Sequence, residues 1–266
     1  MVIDHPDDVG LATSTTELRS VVDSGRRAIL LGVEGGHAIE DSLEHLRELH
    51  RLGARYLTLA HNNTNHWADS SGDVAKHHGL TPFGDSVVAE MNRLGMMVDV
   101  SHASDDTFYR VIAVTKAPVI ASHSSARALC SQKRNMTDDM LRALGKNGGV
   151  AMVNFLSIFL SDEYVAAWRK RHAAKGDYPL PPVPVARIVD HIDHMVKVAG
   201  IDHVGLGSDF SNEDDFPQGM QSVDELPAIE AELRRRNYSD EDVHKILGDN
   251  FMRVFSAVEA AAEKKP

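Results

Sequence analysis

Cysteine, aromatic residues and positive charge are scarce in this chain of 266 residues. The one cysteine, Cys130, excludes an internal disulfide framework and is typical of a reducing compartment, so we expect a cytoplasmic protein. Only 28 basic side chains stand against 39 acidic ones, and the net charge of −11 argues against nucleic acid or an anionic membrane as a partner. No apolar run approaches the ~20 residues of a membrane span, so we expect no membrane segment.

Short apolar runs of strand length are frequent, and we count six, at residues 28–33, 55–60, 96–101, 118–122, 149–154 and 203–208. Polar residues seldom alternate within them, which is typical of strands covered by helices on both faces. Amphipathic stretches with helical spacing separate the runs. This alternation predicts an α/β fold with a parallel sheet, open or closed, in one domain over residues 1–266.

Helix boundaries are marked by capping residues. Thr81-Pro82 predicts the start of a helix that Gly95 ends, with an apolar stripe on one face formed by Val87, Val88, Met91 and Leu94. Leucines at positions 43, 46, 49 and 52 predict another helix, which ends at Gly53. Ser104, Thr137 and Ser239 each precede acidic residues and are expected to be N-caps. Residues 161–184 depart from the pattern, and we expect their proline-rich end to form an exposed loop or lid.

Carboxylate or imidazole side chains stand at the ends of five of the six runs. They are Glu34, His61, His102, His123 and Asp209. In parallel α/β folds the carboxyl ends of the strands open onto one face, where ligands bind. Imidazole nitrogen and carboxylate oxygen suit zinc and similar divalent ions. The pattern therefore predicts a metal site on this face.

Nine short sequence motifs lie in order along nearly the whole chain and include the candidate site residues. They are Val33-Glu-Gly-Gly-His37, Arg55-Tyr-Leu-Thr-Leu-Ala-His61, Trp67-Ala-Asp69, Gly79-Leu-Thr-Pro-Phe-Gly84, Val98-Asp-Val-Ser-His102, Ser122-His-Ser-Ser-Ala126, Lys133-Arg-Asn135, Gly205-Leu-Gly-Ser-Asp-Phe210 and Asp249-Asn-Phe-Met-Arg-Val254. With these motifs the chain resembles the membrane (renal) dipeptidase family, zinc peptidases with an amidohydrolase-type, TIM-type (β/α)8 barrel. The resemblance implies zinc-dependent hydrolysis of dipeptides by a metal-activated water.

The resemblance also implies metal ligands. Glu34 would bridge two zinc ions, and His102 and His123 would complete the second metal. The family's first metal takes its other ligands from a His-x-Asp pair on a strand well before the bridging glutamate. Here only 33 residues precede Glu34, and the formal match His5-Pro-Asp7 has a central proline and no apolar strand leading into it. We therefore expect one retained zinc and a barrel that lacks its first one or two βα units.

Substrate roles follow from the same resemblance. His61 would lie beside the scissile carbonyl and stabilise the oxyanion, and Arg134 would bind the carboxylate of the dipeptide. Asp209 would take a proton from the water and give it to the departing amine. Loss of the first units would also leave apolar strand edges open, so we expect association into homo-oligomers.

Structural alternatives exist for the candidate residues. Glu34 could form a buried ion pair, the three histidines could have structural hydrogen bonds, and Asp209 could cap a helix. Arg134 also fits a solvated basic run, and His37 fits a role in orienting the Gly-Gly loop. His191 and His194 are spaced like a ligand pair, but we favour a surface position in the middle of a helix. Cys130 has no evident activating base and is not expected to be a nucleophile.

Two alternative functions remain open from the sequence. The chain could be a non-catalytic paralogue or fragment that keeps the substrate-facing half of the site, or an amidohydrolase acting on other small amides or lactams. The pattern does not discriminate between L,L and L,D dipeptides, or tell whether β-lactams are cleaved.

Overall fold

The computed structural model of the chain describes residue 2 and residues 4–174, 178–210 and 215–262. The chain divides into two compact units, Met1–Ile120 with Met252–Pro266, and Ala121–Phe251. One domain over residues 1–266 stays a prediction. Within the described residues, no helix has both the length and the hydropathy needed to cross a membrane.

The described residues form strands and α-helices in alternation, as predicted. The strands are β1 (Val9–Leu11), β2 (Arg27–Ile29), β3 (Leu31–Glu34), β4 (Ala54–Thr58), β5 (Met97–Asp99), β6 (Ile120–Ala121), β7 (Val150–Val153) and β8 (Val204–Leu206). The helices are α1 (Thr15–Asp23), α2 (Leu43–Arg51), α3 (Pro82–Leu94), α4 (Asp105–Val114), α5 (Asp138–Asn147), α6 (Asp162–Ala174), α7 (Ala186–Ala199), α8 (Pro227–Arg235), α9 (Asp240–His244) and α10 (Asn250–Ala261).

In the first unit the strands are parallel and mostly follow chain order. β1 pairs with β2, and β3, β4 and β5 are successive neighbours, with Asp99 of β5 paired to Ile120 of β6. Parallel pairing requires a crossover between strands, and α2, α3 and α4 supply the crossovers. All the carboxyl ends of β3, β4 and β5 therefore meet at one edge, which is where the candidate site lies.

The capping residues set the ends of α3 as the sequence predicts. The Thr81 hydroxyl accepts a hydrogen bond from the Gly84 N–H, Pro82 begins the helix, and Gly95 ends it in the left-handed region with φ of 74°. Val87, Val88 and Met91 of the predicted stripe are completely buried. Ser104, Thr137 and Ser239 are likewise N-caps, each accepting a backbone N–H through its side chain.

The first apolar run is not one strand, which corrects the prediction for residues 28–33. It divides into β2, which pairs with β1, and β3, which pairs with β4. Nor is β3 covered on both faces, since Leu31 is 41% exposed. Gly32 lies against the ring of Tyr56, where a Cβ would approach the ring to 1.9 Å, and the register of β3 on β4 shifts between Leu31 and Gly32. The expected association through this edge stays a prediction.

The leucine helix is present but less buried than its spacing predicts. α2 ends at Arg51 and is followed by Gly53 with φ of 107°, as expected of a C-terminal glycine. Of the four leucines only Leu46 is fully buried, and Leu52 is 59% exposed. A period of three drifts around a helix with 3.6 residues per turn, so the four side chains do not share one face.

In the second unit β7 pairs in parallel with β8. The side chain of Asn250 donates hydrogen bonds to the carbonyl oxygens of Ile201 and Val204, which fixes the start of β8. Cys130 is buried, and burial raises the pKa of its thiol to about 12, which supports the expectation that it is not a nucleophile. The proline-rich segment expected as a loop has exposed residues at positions 178 and 179, and residues 175–177 lie outside the described residues.

His191 is buried within α7, so the predicted surface position is wrong for this residue. Its Nδ1 accepts a hydrogen bond from the Ala126 N–H at 3.1 Å, and its Nε2 faces the Leu160 carbonyl oxygen at 3.1 Å. Because both nitrogens have backbone partners, neither is available to a metal. His194 lies 2.7 Å from a carboxylate oxygen of Asp138, so the two histidines form separate structural contacts.

Stability is expected to fall in acid because of His191. Burial, the largest cause, lowers the pKa of His191 from 6.5 to about 4, so the folded chain resists a proton that the unfolded chain accepts. This contribution is complete above pH 6.5 and is lost as the pH falls from 6.5 towards 4, by up to about 3 kcal/mol. Urea unfolding at a series of pH values measures it. In His191→Gln, the slope of the free energy of unfolding against pH should fall by about one proton between pH 6.5 and 4. The same substitution at the exposed His5 should leave this slope unaltered. Equal slopes for the wild type and His191→Gln would contradict the assignment.

Candidate metal centre

Three of the predicted site residues lie together at the carboxyl ends of neighbouring strands. Glu34 is the last residue of β3. His61 lies three residues after the end of β4, and His102 lies three residues after the end of β5. One ligand atom from each of the three lies within 4.8 Å of the others. His102 Nε2 is 3.0 Å and His61 Nε2 is 3.9 Å from Glu34 Oε1. The parallel pairing of β3, β4 and β5 thus assembles residues that are far apart in the sequence.

The donor set fits zinc. One carboxylate and two imidazoles are ligands that catalytic zinc takes, whereas calcium and magnesium prefer oxygen alone. Two ligands of a tetrahedral zinc ion lie roughly 3.4 Å apart, and the measured 3.0 and 3.9 Å lie on either side of that value. Glu34 and His61 are each 41% exposed as side chains, so the cluster is open to solvent, while His102 is 10% exposed. Such openness suits a site that must admit a substrate.

The backbone around Glu34 and His102 takes unusual conformations. His102 has φ of 64°, in the left-handed region that costs a residue with a Cβ some energy. Gly35 has φ of 99° and lies under the ring of His37, where a Cβ would approach Cε1 to 2.3 Å. Gly36 packs against Trp67 with no room for a Cβ. This packing supports the structural role expected for His37 in orienting the Gly-Gly loop.

The loop that carries His61 is organised by Asp69. Its buried carboxylate accepts hydrogen bonds from the backbone N–H groups of Lys76, His77 and Gly79. Burial would by itself raise the pKa of Asp69, but these backbone hydrogen bonds outweigh it and hold the pKa below its usual value. The next residue, Ser70, donates through Oγ to the His61 carbonyl oxygen at 2.5 Å. The Trp67-Ala-Asp69 motif therefore has a loop-forming role that the sequence did not reveal.

Asp99 is a second buried carboxylate that was not predicted to matter. It ends β5, and its Oδ2 accepts a hydrogen bond from the Thr58 hydroxyl of β4 at 2.5 Å. Its Oδ1 accepts from the Ser101 N–H, one residue before His102. The two bonds join the ends of β4 and β5 where His61 and His102 leave the sheet. The only sequence signal was its place within the Val98-Asp-Val-Ser-His102 motif.

A cleft of about 490 Å³ adjoins His61 in the first unit. All of its lining residues are polar: His37, Glu40, Asp41, His61, Asn63, Thr64, Asn65, His66 and Lys76. Asp41 pairs with His66 at 2.6 Å, so part of the lining is fixed by an ion pair when the imidazole is charged. His5 and Asp7 are exposed in a turn before β1 and belong to no group of possible metal ligands in the described part of the chain.

The other three candidate residues lie in the second unit. His123 is buried, and its Nδ1 is 2.7 Å from the Ser122 hydroxyl. Arg134 donates from one guanidinium nitrogen to Ser124 Oγ and from another to the His123 carbonyl oxygen, at 2.9 and 3.0 Å. Arg134 is half-buried, so the alternative of a solvated basic run does not describe it. The loop after β6 thus holds an oriented cation.

Asp209 follows β8 by three residues and has φ of 58°. Its Oδ2 accepts a hydrogen bond from Asn154 Nδ2 at 2.9 Å. Asn154 directly follows β7, the one predicted strand with no carboxylate or imidazole at its end. The sequence pattern passed over Asn154 because a neutral amide carries no obvious chemistry.

Comparisons with known proteins agree with this geometry. The family model described as membrane dipeptidase (peptidase family M19) matches residues 1–266. Dipeptidase 3 from Homo sapiens is 40% identical over 263 residues, covering 97% of this chain and 50% of that protein. The chain therefore spans about half the length of the curated relatives that it matches.

Solved structures extend the likeness to the fold. The probable dipeptidase PvdM from Pseudomonas aeruginosa has a TM-score of 0.91 and 30% identity, covering 98% of this chain and 77% of that one. A metallo peptidase from Rhodobacter sphaeroides, liganded with a phosphinate mimic of the dipeptide L-Ala-D-Ala, has a TM-score of 0.82 and 29% identity, covering 94% and 69%. These likenesses confirm the predicted α/β fold of the amidohydrolase-type barrel class.

Proposed function

The chain belongs to the membrane dipeptidase family, peptidase family M19, as its motifs predict, and from this premise we propose that it hydrolyses dipeptides with the help of zinc. The observation that carries the proposal is the cluster of Glu34, His61 and His102, whose ligand atoms lie within 4.8 Å of one another. Within this cluster Glu34 and His102 would hold the ion, with His123 as the further ligand that the family resemblance implies. His61, whose Nε2 is farther from Glu34 Oε1 at 3.9 Å, would face the substrate beside the ion. When bound, zinc supplies a Lewis acid that polarises the scissile carbonyl and lowers the pKa of water.

The chain's own residues would bind the substrate and move protons. Arg134 would bind the free carboxylate of the dipeptide, because its planar fork matches two carboxylate oxygens and its hydrogen bonds to Ser124 and His123 hold it in place. His61 would donate a hydrogen bond to the carbonyl oxygen as negative charge develops there. Asp209 would accept a proton from the attacking water as the C–O bond forms, and return it to the amine as the C–N bond breaks.

The decisive experiment is a substrate panel on the zinc-loaded chain, with bound zinc measured by elemental analysis. We expect hydrolysis of dipeptides with free termini, and little or none of N-blocked dipeptides or tripeptides. A chain that binds zinc but cleaves none of them would point to a binding role. Equal cleavage of dipeptides and tripeptides would overturn the substrate class and favour a broader amidohydrolase.

Arg134→Ala is expected to raise KM and to weaken the preference for a free carboxylate over a C-terminal amide. The lost charge-assisted hydrogen bonds should be worth roughly 1.5–3 kcal/mol, which corresponds to about 10- to 150-fold in kcat/KM. Steady-state kinetics on paired free and amidated dipeptides measures the change. Its exposed neighbour provides the control, since Lys133→Ala removes a like charge and should leave the preference unchanged. An unaltered preference in Arg134→Ala would assign carboxylate binding to another group.

A further inference from the structure

Asn154 is a buried amide whose orientation is determined by its surroundings. The residue is 1% exposed, and its Oδ1 accepts a hydrogen bond from the Leu156 N–H at 2.7 Å. An N–H donor can face only the oxygen of an amide, so Nδ2 must point the other way. Nδ2 lies 2.9 Å from Asp209 Oδ2 and donates to it. The backbone is also anchored, since the Ser125 hydroxyl donates to the Asn154 carbonyl oxygen at 3.1 Å.

This hydrogen bond acts on one oxygen of Asp209 alone. A carboxylate can rotate about its last side-chain bond, which makes its two oxygens interchangeable unless a partner distinguishes them. Asn154 donates to Oδ2 and so distinguishes it from Oδ1. The proton transfers assigned to Asp209 would then fall to Oδ1.

We propose that Asn154 is a positioning residue that holds Asp209 with Oδ1 presented to the reacting atoms. The inference rests on the proposed function, in which Asp209 first accepts a proton and later returns it. Both transfers need the same oxygen within hydrogen-bond reach, and a freely rotating carboxylate would meet that geometry only part of the time. Asn154 acts through Asp209 and does not itself touch the substrate.

Asn154→Asp separates this role from a structural one. Aspartate has nearly the shape of asparagine and keeps an acceptor for the Leu156 N–H, so the turn after β7 can persist. It cannot donate to Asp209 when ionised, and it sets a second negative charge beside it. We expect kcat for a dipeptide to fall about 100-fold with KM within about threefold, the lower end of what a positioned acid–base group supplies. Zinc content should stay near the wild-type value, while the thermal midpoint should fall because a second carboxylate is buried beside Asp209. kcat is therefore measured well below the midpoint of the variant and expressed per zinc-loaded, folded chain.

Two further variants complete the test. Asn237→Asp makes the same charge change at an exposed position of the same unit, where φ of 67° suits either residue, and should have wild-type kcat. In an Asp209→Asn background, Asn154→Asp should cost little more, because the group that it positions is already lost. A wild-type chain that binds zinc but spares dipeptides overturns the proposed function and this inference with it. An active wild type with an equally active Asn154→Asp variant overturns the inference alone.

Discussion

Replacing Glu34 by glutamine is expected to lower the affinity of the chain for zinc by at least about 100-fold and to abolish dipeptide hydrolysis. Loss of an outer partner of a metal ligand already costs 10- to 100-fold in affinity, and Glu34 is itself a ligand in the proposed site. Glutamine keeps the shape of the side chain but supplies no negative charge. Competition with a chromophoric chelator measures affinity independently of activity, and the wild-type chain should hold about one zinc ion.

Controls for this experiment come from the same chain. Glu44→Gln makes the same chemical change on α2 at a side chain that is 87% exposed, and should leave zinc affinity unchanged. His102→Ala should behave as Glu34→Gln does. His61→Ala should retain most of the zinc while losing activity, because His61 is assigned to the substrate carbonyl. Loss of zinc in this variant would make His61 a ligand. Unchanged zinc affinity in Glu34→Gln would move the metal site elsewhere.

The second large effect is expected on stability, from Gly207→Ala. A Cβ at Gly207 would lie 2.0 Å from the Ser122 carbonyl oxygen and 3.0 Å from the His123 Cα. Both are backbone atoms, so no side chain can rotate away, and the strand end must shift. We expect a loss of about 3 kcal/mol or more in the free energy of unfolding, at the upper end of overpacking. This corresponds to roughly 6–12 °C in thermal midpoint for a chain of this size.

Gly248→Ala is the matched control for this prediction. No heavy atom lies within 4 Å of its would-be Cβ, and its φ of 178° lies outside the left-handed region. Urea unfolding of the two variants and the wild type gives the comparison. Gly207→Ala should also disturb zinc-dependent activity more than its stability alone explains, because the clash is with the backbone of His123. Two variants with the same unfolding midpoint would contradict the close approach.

Local signals in the sequence predict the elements that have capping residues at both ends. For α3, Thr81, Pro82 and Gly95 act within one turn of the helix ends, so no distant contact is needed to place the boundaries. The prediction of one strand over residues 28–33 is wrong because its outcome depends on distant partners. Residues 28–33 are apolar throughout, and composition cannot tell that one half pairs with β1 and the other with β4. The predicted surface position of His191 is wrong for a similar reason, because a histidine between two backbone partners has the same sequence pattern as one in solvent.

The sequence by itself determined which reactive groups this protein carries and the family to which it belongs, since the acidic and imidazole groups at strand ends and the family motifs are properties of residue type and order. Tertiary structure alone decided which of these groups meet. His102 joins Glu34 across 68 residues, and Asn154 reaches Asp209 across 55, through parallel strands paired by backbone hydrogen bonds between distant segments. A neutral amide such as Asn154 or a glycine such as Gly207 acquires its role only from the neighbour that this pairing places against it, and no local pattern encodes that neighbour.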